Sequence, residues 1–158
     1  MKILAIESTC DETAASVVEN CGEGVRVVEN VVASSALIHQ KYGGVVPEVA
    51  AREQIKSVIP VIKEAMKESK EEVRAVAVSY GPGLMGSLLI GVETAKTLAW
   101  AWERPLLGVN HMAAHIFANW LVEEKNQEVP SFPVIGLVVS GGHTDIVLMK
   151  TVKDWLWV

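Results

Sequence analysis

The chain has 158 residues, of which 50% are hydrophobic and 21% are charged, and this composition excludes an intrinsically disordered protein. The 14 Lys and Arg residues stand against 19 Asp and Glu residues, so the formal net charge is −5. That balance excludes tight nucleic-acid binding through bulk positive charge and requires a local basic surface or a partner. Two cysteines, Cys10 and Cys21, are too few for a disulfide scaffold.

The chain starts directly with a strand-like segment, MKILAIE, and has no basic segment followed by a long apolar run. This start predicts a protein without a signal peptide and a cytoplasmic location. The most apolar long stretch, residues 84–102, contains Glu93 and Lys96 together with two glycines. It therefore predicts a buried helix rather than a membrane span.

The first third of the chain predicts three consecutive strands, at residues 2–7, 14–19 and 25–33. Short polar or glycine-containing segments separate them, so we expect an antiparallel meander. A loop with two adjacent glycines and a proline follows at residues 39–48.

Residues 48–68 are predicted to form a helix with one apolar stripe facing the core, kinked or restarted at Pro60. The side chains of this stripe are Ile55, Val58, Ile59, Ile62, Ala65 and Met66.

Strands at 75–79 and 105–110 alternate with helices at 84–103 and 111–121. The inner face of the first of these helices is predicted to consist of Leu88, Val92, Ala95, Ala99 and Trp102. Three antiparallel strands followed by alternating helices and strands predict a mixed sheet covered by helices, an α/β fold.

A polar segment with two prolines at residues 126–133 predicts a boundary between a domain at 1–130 and the opening meander of a second domain at 131–158. The apolar strands after residue 133 are too few to form their own core. We therefore expect the chain to be the first half of a longer architecture. The rest of the second domain should cover the other face of these strands, and for the chain on its own we expect a homodimer or larger assembly through 133–158.

Two histidines in HMAAH, His111 and His115, are separated by one helical turn and can face one metal ion. A structural or incidental pair is the alternative. The protease motif is excluded, because Met112 occupies the position that needs a glutamate. A third ligand, a carboxylate, is expected from elsewhere.

Three polar turns are further candidates for a binding or catalytic site. VVSGGHTDIV at 138–147 predicts an anion-binding loop or an ordinary hairpin, in which His143 is an exposed residue or a ligand contact. In ESTCDET at 7–13, Asp11 or Glu12 could orient a metal-bound water or a nucleotide, but a solvated hairpin tip is favoured. Cys10 is expected to be a packing residue rather than a nucleophile.

The third turn, YGPGLMGS at 80–87, lacks the GK[ST] of a phosphate loop, so its glycines are expected to allow tight helix packing.

Five segments occur in a characteristic order: IESTCDET, YGGVVPEVAAR, GPGLMGSLLIG, VNHMAAH and VSGGHT. With them the chain resembles the universal tRNA threonylcarbamoyltransferase family of the bacterial TsaD type. The resemblance implies the actin-like, sugar-kinase and heat-shock ATPase architecture, in which an RNase H-like mixed sheet carries helices and a nucleotide lies between two related domains.

The resemblance also implies an activity: transfer of threonylcarbamoyl from threonylcarbamoyl-adenylate to N6 of the adenosine next to the anticodon, in tRNAs reading codons that begin with A. It implies that His111 and His115 bind one divalent metal ion, iron or zinc. An adenylate or ATP-like nucleotide would then be bound by the residues Val138, Val139, Ser140, Gly141 and Gly142.

The partners that the resemblance implies are tRNA, a catalytically silent paralogue and a small ATPase, with no membrane. The family's third metal ligand, an aspartate far downstream, has no counterpart in this chain, so we expect the chain alone to be inactive. Three alternatives stay open: an actin-like kinase or ATPase, the non-catalytic scaffold itself, and an inactive remnant.

Overall fold

The computed structural model describes residues 1–22, 24–67, 69, 72–122, 127–142 and 144–158. The strands in these residues are β1 (Lys2–Glu7), β2 (Glu12–Asn20), β3 (Val25–Ser34), β4 (Val73–Gly81), β5 (Leu106–Asn110), β6 (Val134–Val139), β7 (Thr144–Met149) and β8 (Trp155–Trp157). The helices are α1 (Ala36–Gln40), α2 (Pro47–Ala65), α3 (Met85–Ala101) and α4 (His111–Phe117), and a 3₁₀ turn (Ala118–Trp120) continues α4.

Five strands form a mixed sheet in the order β3-β2-β1-β4-β5. The meander β1-β2-β3 is antiparallel, whereas β4 runs parallel to both β1 and β5. This topology confirms the predicted α/β fold with a mixed sheet. Because β1, β4 and β5 are parallel, their carboxyl ends lie at one edge of the sheet, where ligand sites of α/β folds are usually found.

One face of this sheet is covered by α2 and α3. Leu4 and Ile6 of β1 alternate with less buried residues and are almost completely buried against these helices. Val76 of β4 and Val17 of β2 continue the same layer with no exposed surface. The strand period of two residues thus separates a helix-covered face from an open face, and Glu7 belongs to the open one.

The predicted apolar stripe of α2 is partly wrong. Ile55 and Ile59 are 64% and 45% exposed, and the helix continues through Pro60 without a restart. The buried positions are Ala50, Gln54, Val58, Val61, Ile62 and Ala65. They form a stripe at spacings of three and four residues. Ile55 and Ile59 lie beside this stripe and not within it. In front of α2, the short helix α1 was not predicted.

Strands β6, β7 and β8 form a second, antiparallel sheet. One of its faces packs Val147 and Met149 against Met112 and Ile116 of α4. The opposite face is largely apolar, and its exposed large hydrophobic side chains are Ile135, Leu137, Val139, Ile146 and Leu156. The strands of the second meander are confirmed, and the division of the chain at residue 130 stays a prediction.

No helix in the described ranges is both long enough and apolar enough to span a lipid bilayer.

Candidate functional site

The site lies at the carboxyl edge of the parallel strands, where α4 begins directly after β5. Asn110, the last residue of β5, caps the helix, because its side-chain oxygen accepts a hydrogen bond from the Ala113 N–H at 3.1 Å. His111 is therefore the first helical residue, and its ring lies beside the ends of β1 and β4. The cap fixes where the helix starts and so fixes the position of both histidines.

His111 and His115 face each other across one turn of α4, with their Nε2 atoms 3.1 Å apart. Their rings are nearly perpendicular, at 78°, and their centroids are 4.5 Å apart. Two imidazole nitrogens bound to one tetrahedral ion at about 2.0–2.1 Å are about 3.3 Å from each other. The observed separation of 3.1 Å is close to this value, so the pair is suited to supply two ligands to such an ion.

No cluster of three or more His, Cys, Asp or Glu side chains suited to a metal is found among the described residues. The expected third ligand is therefore not located, and metal binding stays a prediction that rests on the histidine pair.

Glu7, which the sequence analysis did not single out, contacts this pair. Its Oε2 lies 3.0 Å from Nδ1 of His111, and its Oε1 accepts a hydrogen bond from the Thr9 N–H at 2.6 Å. Burial alone would raise the pKa of the Glu7 carboxyl, but hydrogen bonds from His111, Ser79 and Thr9 outweigh it and lower the pKa to about 2. A charged residue at the end of an otherwise apolar strand was the available signal for this role.

The segment after Glu7 is not the solvated hairpin tip that the sequence favoured. Ser8 and Thr9 are buried. The Ser8 hydroxyl donates to the Ser87 carbonyl at 2.8 Å and accepts from the Gly91 N–H at 3.1 Å. The reason is that α3 packs directly onto this turn, so its polar groups are satisfied by the helix instead of by water.

Glycines make this close packing possible, as expected for the segment at 80–87. A Cβ atom at Gly83 would lie 2.6 Å from the Thr9 carbonyl oxygen. One at Gly91, further along α3, would lie 2.3 Å from Oγ of Ser8. Any larger residue at these positions would push α3 away from the edge that carries Glu7.

Gln54 of α2 holds the same turn from the other side and was also missed. Its side chain is 1% exposed. Its Nε2 lies 3.3, 3.1 and 3.0 Å from the carbonyl oxygens of Ser8, Cys10 and Glu12. A single buried amide therefore fixes the course of the backbone between β1 and β2.

Asp11 and Glu12 are placed away from the histidine pair. Asp11 lines a small cavity with residues of β3, α1 and α2, and its backbone carbonyl accepts hydrogen bonds from the N–H and hydroxyl of Ser35. Glu12 is exposed. Cys10 is half-buried, and burial together with the nearby Asp11 raises the pKa of its thiol, which suits a packing residue. A catalytic role of either carboxylate stays a prediction.

Two cavities meet at His115. One of about 420 Å³ lies on the open face of the first sheet and is lined by Glu7, Ser79 and both histidines. The other, of about 410 Å³, lies between α4 and β6 and is lined by His115 together with Val138, Val139 and Ser140. The structure thus places part of the predicted nucleotide-binding segment, residues 138–140, in a cavity that His115 also lines.

The last residues of the predicted nucleotide-binding segment, 138–142, follow β6 as an exposed turn. Gly141 and Gly142 have open space around their Cα atoms, and the Gly142 N–H lies 3.4 Å from Oγ of Ser140. This exposure leaves room for a ligand against the backbone, although the assignment itself stays a prediction. His143 lies outside the described residues.

Solved structures define the class of this fold. YeaZ from Pseudomonas aeruginosa superposes with a TM-score of 0.53 at 18% identity, covering 75% of this chain and 50% of that one. The PPX-GPPA enzyme of Aquifex aeolicus superposes with a TM-score of 0.56 at 13% identity, covering 99% of this chain and 52% of that one. At such low identity these likenesses show the fold alone, a mixed sheet covered by helices.

Sequence comparison then gives the family. The family model described as TsaD, tRNA N6-adenosine threonylcarbamoyltransferase, matches residues 26–156, and the chain belongs to this family. The relative with that name in Dehalococcoides mccartyi is 53% identical over 153 residues, 95% of this chain and 45% of the relative. The one in Thermomicrobium roseum is 48% identical over 161 residues, 99% of this chain and 43% of the relative. The chain thus spans under half the length of these relatives.

Proposed function

We propose that this chain carries the histidine-bearing part of a tRNA threonylcarbamoyltransferase. The reaction would transfer threonylcarbamoyl from threonylcarbamoyl-adenylate to N6 of the adenosine next to the anticodon, in tRNAs that read codons beginning with A. The observation that carries the proposal is the pair of convergent Nε2 atoms, 3.1 Å apart, in a chain of this family.

In this proposal, His111 and His115 hold one divalent ion, iron or zinc. When bound, the ion supplies Lewis acidity that polarises the donor. The donor is already activated as a mixed anhydride, so the chain's own residues need only bind it, orient it and exclude water. Residues 138–142 would bind the adenylate, since Val138, Val139 and Ser140 line the cavity that His115 also lines, and Gly141 and Gly142 follow them directly.

The proposed partners come from the family resemblance, and the charge of the chain agrees with them. A net charge of −5 gives little general attraction for tRNA, so its binding would rely on a partner surface. We propose that a catalytically silent paralogue and a small ATPase take this part, in the cytoplasm where the tRNA substrate is found. Exposed apolar side chains on α2 and α3, including Ile59 and Trp100, are available for such contacts.

A chimera tests the proposed reaction. This chain would replace the matching 45% of the Dehalococcoides mccartyi relative, with which it is 53% identical. We expect the chimera to modify tRNA when given threonylcarbamoyl-adenylate, while the chain alone gives no product.

Introducing His115→Ala into the chimera should abolish modification, and Glu64→Gln on the exposed surface of α2 should not. The proposal fails if a folded chimera gives no product under conditions in which the relative does, or if His115→Ala has no effect.

We further propose that the exposed face of the second sheet packs against a second copy of this chain. The face is apolar apart from Thr144 at one end, so two copies can pack against each other through it across a two-fold axis. Sedimentation at low micromolar concentration should show a dimer or larger species. Leu137→Lys should shift it toward monomer, and Leu37→Lys on exposed α1 should not; a monomeric unmodified chain would refute the proposal.

A further inference from the structure

The Glu7 carboxylate is held by donors on both of its oxygens. Oε1 accepts from the Thr9 backbone N–H at 2.6 Å, and Oε2 lies 3.0 Å from Nδ1 of His111. The Thr9 hydroxyl is also near Nδ1, but at 3.5 Å it is the more distant neighbour. The carboxylate is therefore the main partner of that ring nitrogen, and its position is fixed by the backbone.

These contacts determine which nitrogen of each histidine carries a proton. A carboxylate can only accept a hydrogen bond, so Nδ1 of His111 must be the donor. In a neutral ring Nε2 then carries a lone pair, which faces Nε2 of His115 at 3.1 Å. Because one atom of that contact must donate, His115 carries its proton on Nε2 when no metal is bound.

We propose that Glu7 is the positioning residue of this site, holding His111 in the Nδ1–H form so that its Nε2 lone pair is available to a metal ion. This inference rests on the proposed function, since it concerns the same histidine pair. Glu7 acts through His111 and does not itself bind the ion. On metal binding, the Nε2 proton of His115 moves to Nδ1 or to solvent.

The substitution Glu7→Gln tests this proposal, because the two carboxylate oxygens of Glu7 have different partners. The Thr9 N–H can only donate, so it will select the amide oxygen of Gln. The amide NH₂ group is then directed at Nδ1 of His111 and requires that nitrogen to accept. The isosteric change should therefore invert the tautomer of His111 and place a proton on the very nitrogen that would bind the metal.

Two readouts follow. Long-range ¹H–¹⁵N spectra of the metal-free chain at neutral pH should show His111 as Nδ1–H and His115 as Nε2–H, and Glu7→Gln should convert His111 to Nε2–H. The affinity for Zn²⁺, measured by competition with a chromophoric chelator, should fall about 10–100-fold in Glu7→Gln. Glu64→Gln, the same change at an exposed position of α2, should alter neither readout.

The proposal is overturned if His111 of the unmodified chain carries its proton on Nε2. This measurement uses the unmodified chain, so it does not depend on whether a variant folds. It is also overturned if Glu7→Gln keeps both the tautomer and the Zn²⁺ affinity. Neither readout involves tRNA or threonylcarbamoyl transfer, so an inactive chimera would refute the proposed function and leave this inference standing.

Discussion

Replacing Gln54 by Leu should lower the free energy of unfolding by about 1–3 kcal/mol, the cost of leaving buried carbonyl groups without a donor. The Gln54 amide is directed at the carbonyl oxygens of Ser8, Cys10 and Glu12 in a nearly water-free position. Leucine has a similar volume, so the loss would come from the Ser8 and Glu12 carbonyls rather than from a cavity, while the Cys10 carbonyl keeps its hydrogen bond from the Ser87 hydroxyl at 3.0 Å. Gln54→Glu should cost more, because carboxylate oxygens would face the same carbonyl oxygens.

Urea unfolding measures this difference. Ile55→Gln provides the matched control, because Ile55 is the next residue on the same helix and is 64% exposed; its effect should stay within about 0.5 kcal/mol. If Gln54→Leu were as stable as the unmodified chain, Gln54 would not be what fixes the turn between β1 and β2, and the positions of Glu7 and Thr9 would need another explanation.

The fold was predictable from the sequence wherever local patterns decide it. The strands at 2–7 and 25–33 were found because Val, Ile and Leu residues cluster between polar turns. The order of elements then gave the mixed sheet. The contact between His111 and His115 was predictable for the same reason, since residues four apart in a helix are neighbours whatever surrounds them.

Features that depend on distant contacts were not predictable in this way. The partner of Glu7 is 104 positions away in the chain, and Gln54 reaches a turn more than 40 positions away. The end of an apolar strand singles out Glu7 but does not reveal its partner, and nothing around Gln54 in the sequence distinguishes it from a surface glutamine. The solvated hairpin at Ser8 and Thr9 was wrong for a related reason, because its burial depends on how closely α3 approaches. The roles in tRNA modification came from the family resemblance and not from residue patterns.

Removing the histidine pair should have the largest effect on metal binding. We expect His111→Ala and His115→Ala each to weaken Zn²⁺ binding by at least about 100-fold, since each removes one of two convergent nitrogen ligands. The unmodified chain should itself bind only weakly, because the described residues provide no group of three or more His, Cys, Asp or Glu side chains suited to hold the ion. Equilibrium dialysis with Zn²⁺ or Fe²⁺ measures these affinities directly.

The two variants should differ in stability, and this difference separates ligand loss from misfolding. His115 is exposed, so its removal should leave the free energy of unfolding almost unchanged. His111 is half-buried and hydrogen-bonded to Glu7, so its removal leaves a carboxylate oxygen without its main donor and should cost about 1–3 kcal/mol. Stoichiometric metal binding that survives both substitutions would place the ion elsewhere and remove the observation on which the proposed function depends.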